Sequence, residues 1–343
     1  MGNHVGRTRN GRSKAFLTRA SAVVLTVTLL AGVVAALRAQ SPKGQAPAAQ
    51  PPTPQWQIDA GGKMEFDVAS VKLDTAVPSA QTVHSNVSLT VGDVYSPNGG
   101  LLRAANFLLT DYLTFAYKMT SSQLTSLRPQ LPKWAVTNRF DIEARAQGNP
   151  TKDQMRLMMQ SLLADRLKLA FHYETRQLPV FKLVLVKPGK TGPQLQPHPA
   201  DSPCSSAPPE PSAPGPATVA GGFPVVCGGQ VFMASAPGHV RNGGRNIIPG
   251  RIATILALLS GIGDTGVDRP ILDQTGLTGT FDFYIDFVPR FNGPLPPGSD
   301  FNPDTNGPTF LEAVQEQLGL KLEPDKGPVD VPVLDHIEEP SAN

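Results

Sequence analysis

The stretch ILDQTGLTGTFDF, residues 271–283, contains the pattern that decides the fold. A short apolar run is followed by a loop with Gly276 and Gly279, and then by an alternating aromatic run, which predicts a strand. The same order occurs in WAVTNRFDIEA, residues 134–144, where a phenylalanine and an aspartate again open a predicted strand. The chain therefore contains two related strand-forming segments.

The sequences that flank these two segments also correspond to each other. NPTKDQMRLMMQSLLADRL (149–167), RIATILALLSGI (251–262) and GPTFLEAVQEQLG (307–319) have apolar residues at helical spacing. Each part then ends in a predicted pair of strands. We interpret the chain as an α+β fold with two degenerate copies of a βαββαββ-like unit, at residues 63–190 and 223–341. Since consecutive elements are usually neighbours, each copy should form an antiparallel-rich sheet with helices on one face.

The chain outside the two copies is biased in composition. Residues 1–39 combine a basic stretch with an uncharged run at 20–37, which is typical of a secretory signal peptide or of an uncleaved signal anchor. Residues 40–62 form a Pro/Ala/Gln-rich linker that we expect to be disordered, and residues 191–222 form a Pro/Ser-rich excursion. We therefore expect a periplasmic or secreted protein, or one anchored in the inner membrane by residues 20–37.

The charge distribution argues against a nucleic-acid partner. The formal charge is +2, but residues 1–39 contain six basic and no acidic residues, so the remainder carries −4. A mildly acidic body lacks the basic surface that nucleic acid requires. Contact with a membrane is expected only through the N-terminal segment, if that segment stays uncleaved.

The chain has two cysteines, Cys204 and Cys227, both in the part predicted to be exported. Oxidation is allowed there, so we expect a disulfide, worth on the order of 3 kcal/mol by chain entropy. Two unrelated thiols are the alternative. Two cysteines without nearby histidines make a poor zinc site, and we predict no metal and no cofactor.

The glycine loop is the first candidate for chemistry. Glycines allow backbone N–H groups to approach an anion, but no lysine follows, and a strand stands where a phosphate-binding loop requires a helix. A turn between two strands is the favoured interpretation. The candidate binding residues around it are Asp273, Thr275, Gly276, Gly279 and Asp282.

No catalytic residue is predicted. The six histidines are scattered without a zinc motif, and no nucleophile elbow occurs. Asp141 and Asp282 each follow a phenylalanine in equivalent strands, which favours a shared structural role such as bonding to a neighbouring turn. DFNPDTNG (300–307) resembles a calcium loop, but Thr305 and Leu311 stand where glycine and glutamate are required. A helix-capping loop is favoured there, and calcium binding stays open.

Several segments together resemble a known family. They are FDVASVK, RFDIEARA, QMRLMMQSLLADRLKL, ETRQLPVFKLV, RPILDQTGLTGTFDF, LEAVQEQLGLKLE and GPVDVPVLDHIEEPS, which span about residues 64–341. The resemblance is to the large paralogous family of exported, soil-associated proteins of the Acidobacteria (Solibacter type), a domain of unknown function. It implies export and soil-bacterial origin, and it carries no activity, cofactor or catalytic residue. In some relatives a similar domain follows an antirepressor-type membrane peptidase, which implies sensing or binding outside the membrane.

Three functional hypotheses follow. The first is a non-enzymatic binding, sensing or interaction module of the cell envelope, with an unknown envelope or extracellular ligand or protein as its partner and with the ligand in a cleft between the two halves. The second is an exported hydrolase with a non-standard acidic site formed by Asp273, Thr275, Asp282 and Asp286. The third is an envelope protein that self-associates through exposed strand edges.

Overall fold

A computed structural model describes residues 51–202, 204, 218–291, 293 and 306–340. The chain divides into two compact units, Met1–Ala48 and Ala49–Asn343, and the described residues all belong to the second. The predicted leader, residues 1–39, lies outside the described ranges. None of the helices inside them combines the length and the hydropathy that a membrane span requires.

The helices confirm the main helical predictions. They are α1 Gln55–Asp59, α2 Leu109–Tyr117, α3 Ser121–Leu127, α4 Lys133–Thr137, α5 Lys152–Arg166, α6 Pro249–Leu259 and α7 Phe310–Leu318. Helices α5, α6 and α7 lie in the three segments predicted to be helical. Helix α1 lies in the segment 40–62, which was expected to be disordered; it differs because Trp56 packs over the Lys118 ammonium group.

The strands form three sheets. They are β1 Val68–Asp74, β2 His84–Ser85, β3 Leu101–Leu108, β4 Arg139–Arg145, β5 Ala170–Leu185, β6 Leu195–Pro197, β7 Gln230–Met233, β8 Val240–Ile247, β9 Ile271–Asp273, β10 Phe281–Phe287 and β11 Leu320–His336. The orders are β1-β4-β3-β2, β6-β10-β8-β7 and β11-β5-β9. Only the β5–β9 pairing among these is parallel, so the predicted α+β class with antiparallel-rich sheets is confirmed.

The two longest strands correct the predicted terminal strand pairs. Each copy was expected to end in its own pair, but β5 and β11 are each continuous and pair with each other along their whole length. Residues 177–179, which would have to form the turn of such a pair in the first copy, lie opposite residues 326–328 within this ladder. Both strands contain prolines, which have no backbone N–H group to donate. A narrow ribbon accommodates them because many of its backbone positions lie on open edges, where no ladder hydrogen bond is lost.

The buried side chains form two separate cores. The first core is built from β1, β3, β4, α2 and α5, and the second from β8, β10, α6 and α7. The β5–β11 ribbon contributes to both, because Phe171 and Leu334 pack on the first core while Leu183 and Leu320 belong to the second. We call the two parts the first lobe and the second lobe.

Equivalent local features occur in the two lobes. Helices α5 and α7 both start with a capping box, in which Thr151 or Thr309 accepts a hydrogen bond from the third residue of the helix. Both helices are followed by a left-handed residue, Lys168 with φ 50° and Gly319 with φ 68°. These parallels are in line with a duplicated unit, which stays a hypothesis.

Candidate functional site

The predicted glycine loop is a hydrogen-bonded turn between β9 and β10. The Thr275 N–H donates to Asp273 Oδ1 at 3.0 Å, and the Thr275 hydroxyl donates to the same oxygen at 2.7 Å. The Thr275 hydroxyl oxygen accepts from the Leu277 N–H at 3.2 Å. Gly276 and Gly279 have φ values of 68° and 83°. The Asp273 carboxylate therefore holds the turn together, as aspartates do at such positions.

Asp282 lies on β10 in a different, buried polar cluster. Its Oδ1 accepts from the Asn246 N–H at 2.9 Å and hydrogen-bonds His198 Nδ1 at 2.7 Å. Its Oδ2 lies 3.6 Å from Arg245 Nε, and the Arg245 guanidinium also contacts the Ser202 hydroxyl. The three charged or titratable side chains of this cluster are all buried. Because its Oδ1 bonds both a backbone N–H group and a histidine, Asp282 organises this face of the second lobe.

The acids of the hydrolase hypothesis each have their own partners. Asp273 and Asp282 both accept hydrogen bonds from backbone N–H groups, and Asp286 hydrogen-bonds His239 Nδ1 at 2.7 Å and the Ser235 hydroxyl at 2.8 Å. No hydrogen bond joins two of these acids within the described part of the chain. The described residues around the glycine turn therefore include no pair of hydrogen-bonded carboxylates of the kind that share acid and base roles.

Asp141 of the first lobe repeats the backbone contact of Asp282. Its Oδ1 accepts from the Asn106 N–H at 2.9 Å, as Asp282 Oδ1 accepts from the Asn246 N–H. Both asparagines are left-handed, with φ values of 62° and 56°, and each lies in the strand next to its aspartate. The prediction that the two aspartates share a structural role is confirmed by these bonds.

A second charged cluster was missed by the sequence analysis. It combines residues of both lobes: Lys118 follows α2, Lys152 and Arg156 lie in the first turns of α5, and Arg251 lies in the first turn of α6. Two acids, Asp93 and Asp153, lie among these cations. We call these six residues the basic cluster.

The inner part of the basic cluster consists of Lys152 and Arg156, which donate hydrogen bonds to backbone carbonyl groups. Lys152 Nζ donates to Gly92 O at 2.6 Å and to Val94 O at 3.2 Å. Arg156 Nη2 donates to Gly92 O at 2.6 Å and to Thr90 O at 3.3 Å. Lys152 is 4% exposed and Arg156 is fully buried. Residues 90–94 thus wrap two cations that water cannot reach.

The acids connect this inner part to the surface. Lys118 Nζ lies 3.1 Å from Asp93 Oδ1 and 2.9 Å from Asp153 Oδ1. Arg156 Nη1 lies 2.9 Å from Asp93 Oδ1 and also contacts Asp153. The Asp93 side chain is 47% exposed, so the cluster opens to solvent on this side.

Positive charge exceeds negative charge in the basic cluster. Burial lowers the pKa of Lys152 to about 7, and the neighbouring Arg156 and Arg251 add to this effect. Burial also lowers the pKa of Arg251. Burial opposes ionisation of Asp93, yet Lys118 and Arg156 hold its pKa below the ordinary value. The cations therefore destabilise one another, and the two acids compensate them only in part.

Two guanidinium groups of the basic cluster have unused hydrogen-bonding capacity, as do those of Arg241 and Arg245 elsewhere in the second lobe. The Nε atoms of Arg156 and Arg251 are both buried without a hydrogen-bond partner. Arg251 Nη2 lies 3.6 Å from the position that a Cβ atom would take at Gly92, so the second lobe reaches the loop that wraps Lys152. Buried donors are normally satisfied, and an unsatisfied one in a cationic recess favours an acceptor from outside the chain.

A sequence signal for this cluster exists. Lys152 and Arg156 lie four residues apart, and Arg156 lies between Met155 and Met159 on the apolar face of α5. A lysine and an arginine on a buried helix face require partners, because unpaired buried charges are costly. Arg251 carries no such signal, since nothing in the sequence links α6 to residues 90–94.

The predicted disulfide is present. Cys204 and Cys227 are bonded, with a Cα–Cα distance of 5.5 Å. Cys227 also forms a β-bridge with Arg245, so the disulfide lies beside the Asp282 cluster. In the described ranges no group of three His, Cys, Asp or Glu side chains could hold a metal ion. Most of the calcium-like loop at 300–307 lies outside those ranges.

Comparison with known proteins places the chain in one family. A family model described as "Protein of unknown function (DUF3738)" matches residues 110–337. No curated protein and no solved structure matches the chain. The expected domain of unknown function is thus confirmed, while acidobacterial origin and export stay expectations.

Proposed function

The chain belongs to the DUF3738 family of proteins of unknown function, and from this premise we propose that it is an exported binding module of the cell envelope that holds an anionic ligand at the basic cluster. The observation that carries the proposal is the excess of cations: four basic side chains from two lobes surround two acids. An anion entering this recess relieves the repulsion among the cations.

The position of the basic cluster also suits ligand binding. Ligand sites are usually recessed and occur where two structural parts meet. Arg251 of the second lobe supplies an unpartnered buried Nε beside a loop of the first lobe. A guanidinium offers several donors in one plane, which suits a carboxylate or phosphate group.

Export is supported by two features of different kinds. The pattern of residues 1–39 is typical of a leader that directs a chain across the membrane. The Cys204–Cys227 disulfide is typical of proteins in oxidising compartments. Both support a location of the basic cluster outside the cytoplasm, where a binding module would meet envelope or environmental anions.

Thermal shift and titration calorimetry test this proposal with named anions. We expect sodium phosphate or sodium citrate to raise the melting temperature of the purified protein above its value in sodium chloride at equal ionic strength. Arg251→Gln should weaken binding at least about tenfold, because a charged hydrogen-bond donor is lost.

Arg269→Gln is the matched control. Arg269 is a half-buried arginine of the same lobe, outside the basic cluster, that pairs with its neighbour Asp268, so its loss should leave anion binding unchanged. The proposal is wrong if none of these anions binds the wild-type protein, or if both variants bind as the wild type does.

A further inference from the structure

We propose that helix α1 is a strap that covers the basic cluster and is released when an anion binds there. The inference rests on the proposed function, because it concerns the regulation of the same site. It is carried by three independent features of residues 53–63: weak attachment, a glycine hinge, and one specific contact with a cation of the cluster.

The strap is weakly attached to the first lobe. Helix α1 has only five residues, none of them buried, and its N-terminal residue Pro54 makes no side-chain capping bond. Ile58 is 56% exposed although it is one of the large apolar side chains of the helix. Short helices are marginal without tertiary packing, so α1 depends on the few contacts that it makes.

A hinge follows the strap. Gly61 and Gly62 have φ values of 105° and 77°, and no atom lies within 4 Å of the position that a Cβ would take at either residue. This backbone region is open to glycine and strained for other residues. The Gly61 N–H donates to Ile58 O and the Gly62 N–H donates to Gln57 O, each at 3.0 Å, so the two glycines cap α1. The empty space around both residues leaves room for the capped helix to move as one unit.

A space lies beneath the strap. A cavity of about 280 Å³ separates α1 from α5 and is lined on one side by Gln57 and Ile58 and on the other by Leu157, Gln160 and Ser161. Well-packed helices leave no such gap. The strap therefore rests on α5 only in part, and its Trp56 side chain reaches Lys118.

The Trp56 contact ties the strap to the basic cluster. The Lys118 ammonium group lies 4.7 Å from the centroid of the Trp56 ring, a cation–π geometry. The same ammonium group bridges Asp93 and Asp153. Lys118 therefore contacts both the strap and the acids of the cluster, so a movement of its ammonium group affects both interactions.

Competition for Lys118 couples the two states. An anion in the cluster attracts the Lys118 ammonium group away from the tryptophan face, which removes the contact that holds α1. Coupling of this kind is reciprocal, so removing Trp56 must tighten anion binding by the same factor by which the anion loosens the strap. We expect this factor to be about fivefold, at the lower end of common coupling energies.

Tryptophan fluorescence tests the strap directly. The chain has two tryptophans, so Trp134→Phe leaves Trp56 as the single reporter. On titration with sodium phosphate, its emission should shift to longer wavelength as Trp56 moves into water. Trp56→Phe, which keeps Trp134 beside Phe140 in the first lobe, should show no shift.

Titration calorimetry of a second pair of variants measures the coupling between anion binding and the Trp56 contact. Trp56→Ala should bind phosphate about five times more tightly than the wild type. Ile58→Ala removes an exposed side chain of the same helix and should bind as the wild type does. Binding heat without a Trp56 shift and without tighter binding by Trp56→Ala overturns the strap and leaves the proposed function standing. Absence of binding heat in the wild type overturns both.

Discussion

At the scale of the residue, Lys152 shows how far the fold departs from the ordinary chemistry of a side chain. Its helix position belongs to the apolar face of α5, and its ammonium group is held by two backbone carbonyls at residues 92 and 94. Burial lowers its pKa to about 7 from an ordinary 10.5, with Arg156 adding to the effect and Asp93 opposing it. The protein keeps this cation at a thermodynamic disadvantage, which is common where a ligand supplies the missing charge.

The sign of the pKa shift gives a prediction for stability. Because the folded-state pKa lies below the unfolded-state value, the unfolded chain binds more protons between about pH 7 and pH 10.5. The wild-type free energy of unfolding should therefore rise through this range relative to that of Lys152→Met, which has no titrating group there. Urea unfolding at a series of pH values from 6.5 to about 9.5 measures the difference. Parallel pH profiles for the two proteins would contradict the assignment.

At the scale of the element, helices α5 and α7 end in the same backbone conformation but with different residues. Each helix is followed by a left-handed residue, a lysine in the first lobe and a glycine in the second. At Gly319 a Cβ atom would lie 2.5 Å from Gly192 N, so only glycine fits. Lys168 accepts the left-handed conformation at an energetic cost.

Two substitutions test this comparison. Gly319→Ala should lower the free energy of unfolding by at least about 1–2 kcal/mol, because a side chain is strained there and also meets a backbone neighbour. Lys168→Gly should raise it by up to about 1 kcal/mol, because glycine removes the strain and loses some entropy. Urea denaturation measures the free energy of unfolding of both variants. If both substitutions changed it in the same direction, the comparison of the two helix ends would be wrong.

The outer edge of the ribbon shows a second difference between the lobes. Strand β9 pairs in parallel with the free edge of β5. At the free edge of β11, the side chain of Gln130 forms hydrogen bonds with the backbone instead. Gln130 Nε2 donates to Pro332 O at 3.0 Å, and Gln130 Oε1 accepts from the Leu334 N–H at 2.9 Å. A single amide side chain thus imitates one peptide unit of a strand and protects the edge from further pairing.

At the scale of the whole molecule, the ribbon joins two lobes that have separate cores, and the disulfide closes a loop beside the Asp282 cluster of the second lobe. Cys204→Ser combined with Cys227→Ser should lower the free energy of unfolding by about 3 kcal/mol, because the unfolded chain regains the entropy of the open loop. Reduction of the wild type should produce the same loss, and reduction of the double variant should produce none. Equal stability of oxidised and reduced wild type would contradict a structural role for the bond.

Much of the fold was predictable at the level of elements. The alternating runs at 139–145 and 281–287 and the helical spacing in α5, α6 and α7 are local signals, and the structure contains each of these elements. The equivalent roles of Asp141 and Asp282 also follow from local pattern. The five candidate binding residues did not form one site, because Asp273 serves its own turn and Asp282 a buried cluster.

The sequence by itself determined the α+β class, the main helices, the disulfide partners and the membership of a family without known function. The tertiary structure decided that β5 and β11 pair across the lobes and that Arg251 lies near Lys152 and Arg156. The physical reason is range. Periodicity and capping act over a few neighbouring residues, whereas strand partners and the pairing of buried charges depend on residues that are far apart in the chain and meet only when the lobes fold together.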